Sequence, residues 1–129
     1  MDSNFSAASR SFERFAVLDY AMVQSPNGGE PFRSVVIDIG LGGVQLRSKE
    51  QLPVGEICEL QIGSEKGKPL VLKGEVRYSK PIPDNGLFSS GFRFLPQNHD
   101  ERKAIAEYVH SVFMRQSELS PDSEQRRQA

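Results

Sequence analysis

Asp38-Ile-Gly-Leu-Gly-Gly43-Val-Gln-Leu-Arg47 joins a glycine-rich turn to a strictly alternating segment. In an extended chain successive side chains point to opposite faces, so Val44 and Leu46 share one side and Gln45 and Arg47 the other. A strand with one apolar face is half of a sheet that must cover that face. Upstream, Phe15 to Val23 is rich in β-compatible residues, and Ser25-Pro-Asn-Gly-Gly29 is a strong turn signal. Phe32 to Ile39 then resumes with Val35-Val36-Ile37, which makes residues 15–39 a hairpin. Downstream, Leu52-Pro-Val-Gly55 is a further turn. Ile57–Ile62 and Leu70–Tyr78 read as strands joined by a polar segment, and a longer loop, Lys80 to Gly86, leads to a last strand, Ser90–Leu95. Six short strands at regular spacing predict an antiparallel barrel or sandwich.

The period then changes. Asn98-His-Asp-Glu101 has the form of a capping box, with Asn98 as N-cap and Glu101 at the third helical position. Ile105, Tyr108, Val109, Val112 and Phe113 follow helical spacing on one stripe, so a helix is expected from about Asp100 to Met114 or Arg115, packed on the sheet. Residues 1–9 are small and polar and read as a flexible arm. From Ser117 to Ala129 there is little to bury, and that stretch is expected to be a disordered tail. The folded unit is placed at residues 10–116.

Bulk properties narrow the function. The chain has 129 residues, 37% apolar and 26% charged, which suits one soluble domain. It has no run of the roughly 20 apolar residues that span a bilayer, and its first residues lack the pattern of a signal peptide. A cytoplasmic location without membrane insertion is the expectation. Sixteen Lys/Arg against 17 Asp/Glu leave a net charge of −1, whereas grip on a nucleic acid polymer calls for a basic excess. Cys58 is the single cysteine and reads as a buried structural thiol. His99 and His110 show no metal-ligand spacing, and no nucleophile–base set can be placed together. No enzymatic role, metal or cofactor is expected.

What positive charge there is gathers locally. Arg10 and Arg14, in Arg-Ser-Phe-Glu-Arg, are two permanently charged forks, each able to grip a phosphate or the O6/N7 edge of guanine with paired hydrogen bonds. Asp38 is an acceptor that complements the N–H groups on guanine's other edge. The glycines after it allow a sharp turn and close approach of a ligand. The set suits a small anionic, guanine-bearing ligand.

In these residues the chain resembles the PilZ family of bacterial receptors for cyclic di-GMP. That family carries Arg-x-x-x-Arg on an N-terminal segment and Asp/Asn-x-Ser-x-x-Gly on a barrel turn. Here they are Arg10-Ser-Phe-Glu-Arg14 and Asp38-Ile-Gly-Leu-Gly-Gly43. The likeness continues through Leu52-Pro-Val-Gly55, Gly74-Glu-Val-Arg-Tyr78 and Gly91-Phe-Arg-Phe-Leu95, and covers about residues 8–115. It implies a mainly β fold, a six-stranded antiparallel split barrel with one C-terminal helix. It also implies that Arg10 and Arg14 clamp the phosphates and bases of cyclic di-GMP, that Asp38 accepts from guanine, and that Gly43 permits close approach. Gly40 stands where the family has serine, so one ligand-binding hydroxyl is missing. Arg47, Tyr78 and Arg93 are further candidates, the arginines by facing outward and Tyr78 by matching a position that stacks on ligand in some relatives. The resemblance implies an adaptor whose arm folds over the barrel on binding and signals to an effector protein. The alternative is a ligand-independent interaction module of the same fold.

Overall fold

The computed structural model describes residues 15–63 and 68–119, with side chains over 19–63 and 68–115. The expected arm, Arg10 and Arg14, and the tail from residue 120 lie outside that range. Six strands follow in order: β1 (Phe15–Gln24), β2 (Phe32–Ile39), β3 (Gly43–Ser48), β4 (Ile57–Ile62), β5 (Leu70–Ile82) and β6 (Leu87–Leu95). Among the described residues one helix, α1 (His99–Leu119), follows the strands. The strands close as β1-β2-β3-β6-β5-β4, every neighbouring pair antiparallel. This decides between the barrel and the sandwich that strand count alone left open.

Alternation places the core as expected. Val44 and Leu46 are buried and Gln45 and Arg47 are not, and in β4 Cys58, Leu60 and Ile62 point inward while Ile57, Glu59 and Gln61 face out. Val23, Val36, Ile39, Val76, Phe92 and Phe94 complete the interior. Cys58 is fully buried, and its thiol is pushed up to about 11, first by burial and then by the neighbouring Glu56 carboxylate.

The region after Tyr78 departs from the expected loop. β5 runs on to Ile82 and β6 begins at Leu87, with Pro81 opposite Phe88. A proline is poorly suited to a central strand, but β4 pairs with β5 only from Leu70 to Glu75. The Gly55 and Glu56 main chain still bonds Val76, but past Val76 no strand flanks β5 on that side, and an open edge tolerates a missing N–H. The reversal is confined to residues 83–86, with Asp84 and Gly86 both at φ 69°.

Asn98 caps α1 as predicted, its side-chain oxygen accepting from the Glu101 N–H at 2.9 Å. Glu101 returns a bond to the Gln97 N–H at 2.9 Å, one residue earlier than the usual box. Ile105, Val109 and Val112 bury against the barrel, but Phe113 is 45% exposed and lies off the stripe. The helix also passes Arg115 and reaches Leu119, because Gln116 to Leu119 contains no breaker and Pro121 is the first residue to disfavour helix before it. Tyr108 ties α1 to β1: its hydroxyl donates to Asp19 Oδ2 at 2.5 Å, and burial followed by that bond raises its pKa well above the usual phenol range. The antiparallel order gathers the start of β1, the β2–β3 turn, the β4–β5 connection and α1 at one end of the barrel.

Candidate functional site

At that end, residues 40–43 form a tight turn. The Gly40 N–H donates to the Gly43 carbonyl at 2.9 Å, and the Phe94 N–H donates to the Gly42 carbonyl at 2.9 Å, locking the turn to β6. Gly43 has a structural reason to be glycine. A Cβ there would stand 2.1 Å from the Phe92 carbonyl oxygen, so β3 and β6 could not approach as they do. The close approach it permits is thus between two strands of the barrel.

Beside the turn is a hollow of about 380 Å³ lined by Gly40, Leu41, Gly43, Arg77, Tyr78 and Arg93, with Gly42, Val44, Gly91 and Phe92 completing it. Four of the sequence candidates meet here: Gly40, Gly43, Tyr78 and Arg93. Asp38 stands close by on the outer face. A single rung crosses four strands, Asp38 in β2, Gln45 in β3, Gly91 in β6 and Tyr78 in β5. Three strand spacings put the ends of that rung roughly 14 Å apart. The Gln45 amide donates to Ser89 Oγ at 2.7 Å and is held on the same face.

Two bulges shape this surface. In β2 the register against β3 skips between Val36 and Asp38, and in β5 the register against β6 skips between Val76 and Tyr78. An extra residue in one strand re-aims the side chains around it. Ile37 and Asp38 are consequently both outside the core, as are Arg77 and Tyr78, although strict alternation would have sent one of each pair inward. The second bulge adds Arg77 to the site. Sequence reasoning passed over that arginine because a bulge leaves no periodic signal.

Arg93 projects outward onto this surface and pairs with Glu75 at 2.9 Å, their side chains 57% and 28% exposed. An ion pair so open to water contributes at most about 1 kcal/mol and leaves Arg93 able to change partner. Arg47 is not in the hollow. It lines a neighbouring, more apolar groove with Phe32, Val35, Ile37 and Leu87, and its Nε is buried without a hydrogen-bond partner among the described residues. Gly91 is the second residue that sequence reasoning missed. A Cβ on it would stand 2.2 Å from Tyr78 Cε2, so the tyrosine ring lies directly over the glycine. Its signal was legible, since a glycine inside a strand marks close approach by another group. Among the described residues no cluster of histidine, cysteine or carboxylate side chains could hold a metal, and no helix is long and apolar enough to cross a membrane.

The turn, the hollow and the closed barrel with its C-terminal helix can be set against known proteins. The family model for the PilZ domain matches residues 8–111, well over half of the chain. The chain belongs to the PilZ domain family. Solved structures of PilZ-containing proteins share its fold. The c-di-GMP complex of MrkH from K. pneumonia superposes with a TM-score of 0.68 at 18% identity, over 83% of this chain and 53% of that one. The PilZ domain of YcgR from Escherichia coli with c-di-GMP gives 0.65 at 12%, over 81% and 92%. The PilZ domain of CeSA from a cellulose synthesizing bacterium gives 0.60 at 16%, over 77% and 96%. The chain thus spans about half the length of MrkH and nearly all of the isolated PilZ domains. No curated protein sequence matches it significantly.

Proposed function

We propose that this PilZ domain is a receptor for cyclic di-GMP, with no reaction of its own. The observation that carries the reading is the outer face of β2, β3, β6 and β5. There the Gly40–Gly43 turn, Arg77, Tyr78 and Arg93 line one hollow with an aromatic ring and cationic forks, and Asp38 stands on the same face two strands away from the β6 wall. Two of the structural relatives, MrkH and the YcgR PilZ domain, were solved with c-di-GMP. The barrel face would be the fixed half of the site. Arg10 and Arg14 would supply the other half, drawn in by the ligand phosphates and folding the N-terminal arm across the barrel. Such a ligand drives closure only through contacts made in the closed state. The altered surface would then be read by an effector protein.

Gly40 is the observation that favours the other reading, an interaction module that works without ligand. The hydroxyl it lacks is worth about 0.5–1.5 kcal/mol, or up to roughly tenfold in affinity. Charge-assisted arginine bonds are worth about 1.5–3 kcal/mol each and outweigh that loss. Calorimetry with cyclic di-GMP tests the reading. Wild type should bind, and Arg14→Ala should lower affinity by about tenfold or more. Absence of binding by wild type at high ligand would leave the interaction module as the better account. Binding that Arg14→Ala leaves unchanged would remove the arm from the site.

A further inference from the structure

We infer that Glu75 is a built-in competitor for the ligand's phosphate: its carboxylate holds Arg93 toward β5, and an anion entering the hollow must take that arginine from it. The inference rests on the receptor reading. It adds a residue that touches no ligand and yet sets how tightly the hollow takes one.

One rung across the barrel contains the arrangement. Ile57 in β4, Glu75 in β5, Arg93 in β6 and Gly43 in β3 are successive partners. Arg93 therefore has a carboxylate on one side and a residue without a side chain on the other. Directly opposed residues of an antiparallel pair stand about 4.5–5.5 Å apart at Cβ, within easy reach for a carboxylate and a guanidinium. Arg93 Nη2 donates to Glu75 Oε1 at 2.9 Å. That bond draws the guanidinium across to β5, away from Gly43 and the glycine turn. Arg93, Gly43 and Arg77 line the hollow, and Glu75 stands outside it.

The pair is built to be exchanged. Its side chains are 57% and 28% exposed, so water screens it and it holds weakly. The bond to Glu75 engages Nη2 of a group with five N–H donors, whereas a phosphate can accept two parallel bonds from the same fork. Glu75 is not stranded when Arg93 leaves. Its neighbours on the same outward face of β5 are Lys73 and Arg77, two residues to either side. A competitor this weak trims affinity without abolishing it. Releasing an exposed ion pair of this kind corresponds to about two- to fivefold in binding.

The test is calorimetry of the full chain with cyclic di-GMP, joined by NMR of the Glu75 carboxylate carbon. Glu75→Gln keeps the side chain's shape and removes its charge, and it should tighten binding by about two- to fivefold. In an Arg93→Ala background the same change should gain less, because no arginine is set free. That difference separates competition for Arg93 from plain repulsion between a carboxylate and an anionic ligand. In wild type, saturating ligand should move the Glu75 carboxylate resonance to its position in ligand-free Arg93→Ala protein. Amide spectra of each variant without ligand establish that the barrel is intact. The inference is overturned if Glu75→Gln binds no tighter than wild type, if it gains as much without Arg93, or if the carboxylate resonance stays in place at saturation. Weaker binding by Glu75→Gln would make Glu75 a support for Arg93 and reverse the inference. The receptor reading fails by a different result, the absence of cyclic di-GMP binding by both wild type and Glu75→Gln, and the inference then falls with it.

Discussion

Replacing Gly43 by alanine tests whether this glycine serves the barrel or a ligand. The added Cβ would begin 2.1 Å from the Phe92 carbonyl oxygen and 3.3 Å from its carbon. A carbon–oxygen contact of about 3.3 Å is the closest that strands normally tolerate, so β3 and β6 must separate locally by roughly 1 Å. The obstruction is main chain and cannot rotate away. Separation also strains the bonds that hold the turn, from Phe94 N–H to Gly42 and from Gly40 N–H to Gly43, both 2.9 Å. Overpacking of this kind costs about 1–3 kcal/mol, sometimes more. In a domain of this size each kcal/mol lowers Tm by roughly 3–6 °C, so Gly43→Ala should melt about 5–15 °C below wild type. Gly42→Ala is the control, since a Cβ there meets nothing within 4 Å, and it should stay within about 0.5 kcal/mol of wild type. Thermal unfolding followed by circular dichroism, with urea midpoints alongside, reads both. If Gly43→Ala is as stable as Gly42→Ala, the strand-contact argument is wrong and the glycine must be explained by ligand approach.

Two other outcomes follow from contacts away from the hollow. Tyr108→Phe removes the hydroxyl that donates to Asp19 Oδ2 and leaves that carboxylate, 7% exposed, with the Tyr20 N–H as its hydrogen-bond donor among the described residues, so urea unfolding should show a loss of about 1–3 kcal/mol and amide exchange in α1 should quicken. An unchanged midpoint would show that Asp19 finds another donor. Cys58 has a folded pKa raised to about 11 from an unfolded value near 9.0, so the native state resists ionisation. Its contribution is complete below pH 9 and is lost as pH rises toward 11, on the order of 2 kcal/mol. Cys58→Val should therefore lose less stability than wild type between pH 8.5 and 10.5, and a thiol reagent at pH 8 should label native protein far more slowly than unfolded protein. Equal slopes, or labelling of the native thiol as fast as a free one, would contradict its burial.

Much of the architecture was legible along the chain because it depends on local period and turn chemistry. The hairpin over residues 15–39, the inward set Val44 and Leu46, the strand Ile57–Ile62 and the cap at Asn98 all follow from alternation, glycine–proline punctuation and a side chain reaching a nearby N–H. The ordered motifs around Arg10, Arg14 and Asp38 pointed to the PilZ domain, and the barrel followed from that resemblance. Tertiary structure was needed wherever a residue's role depends on a partner distant in sequence. Pro81 can sit in a strand because past Val76 no strand flanks β5 on the side away from β6, and Phe113 is exposed although it shares helical spacing with the buried Val109 and Val112. Arg77 joins Tyr78 on one face through a bulge that exists only as a mismatch between β5 and β6. The Asp38-Ile-Gly-Leu-Gly-Gly43 turn is the plainest case. Its glycines could be read from sequence as turn-makers or as room for a ligand, since either use needs a missing side chain. Only the packed barrel shows Gly43 pressed against Phe92 and Gly42 facing open space, because the distance between two strands is set by all six of them together.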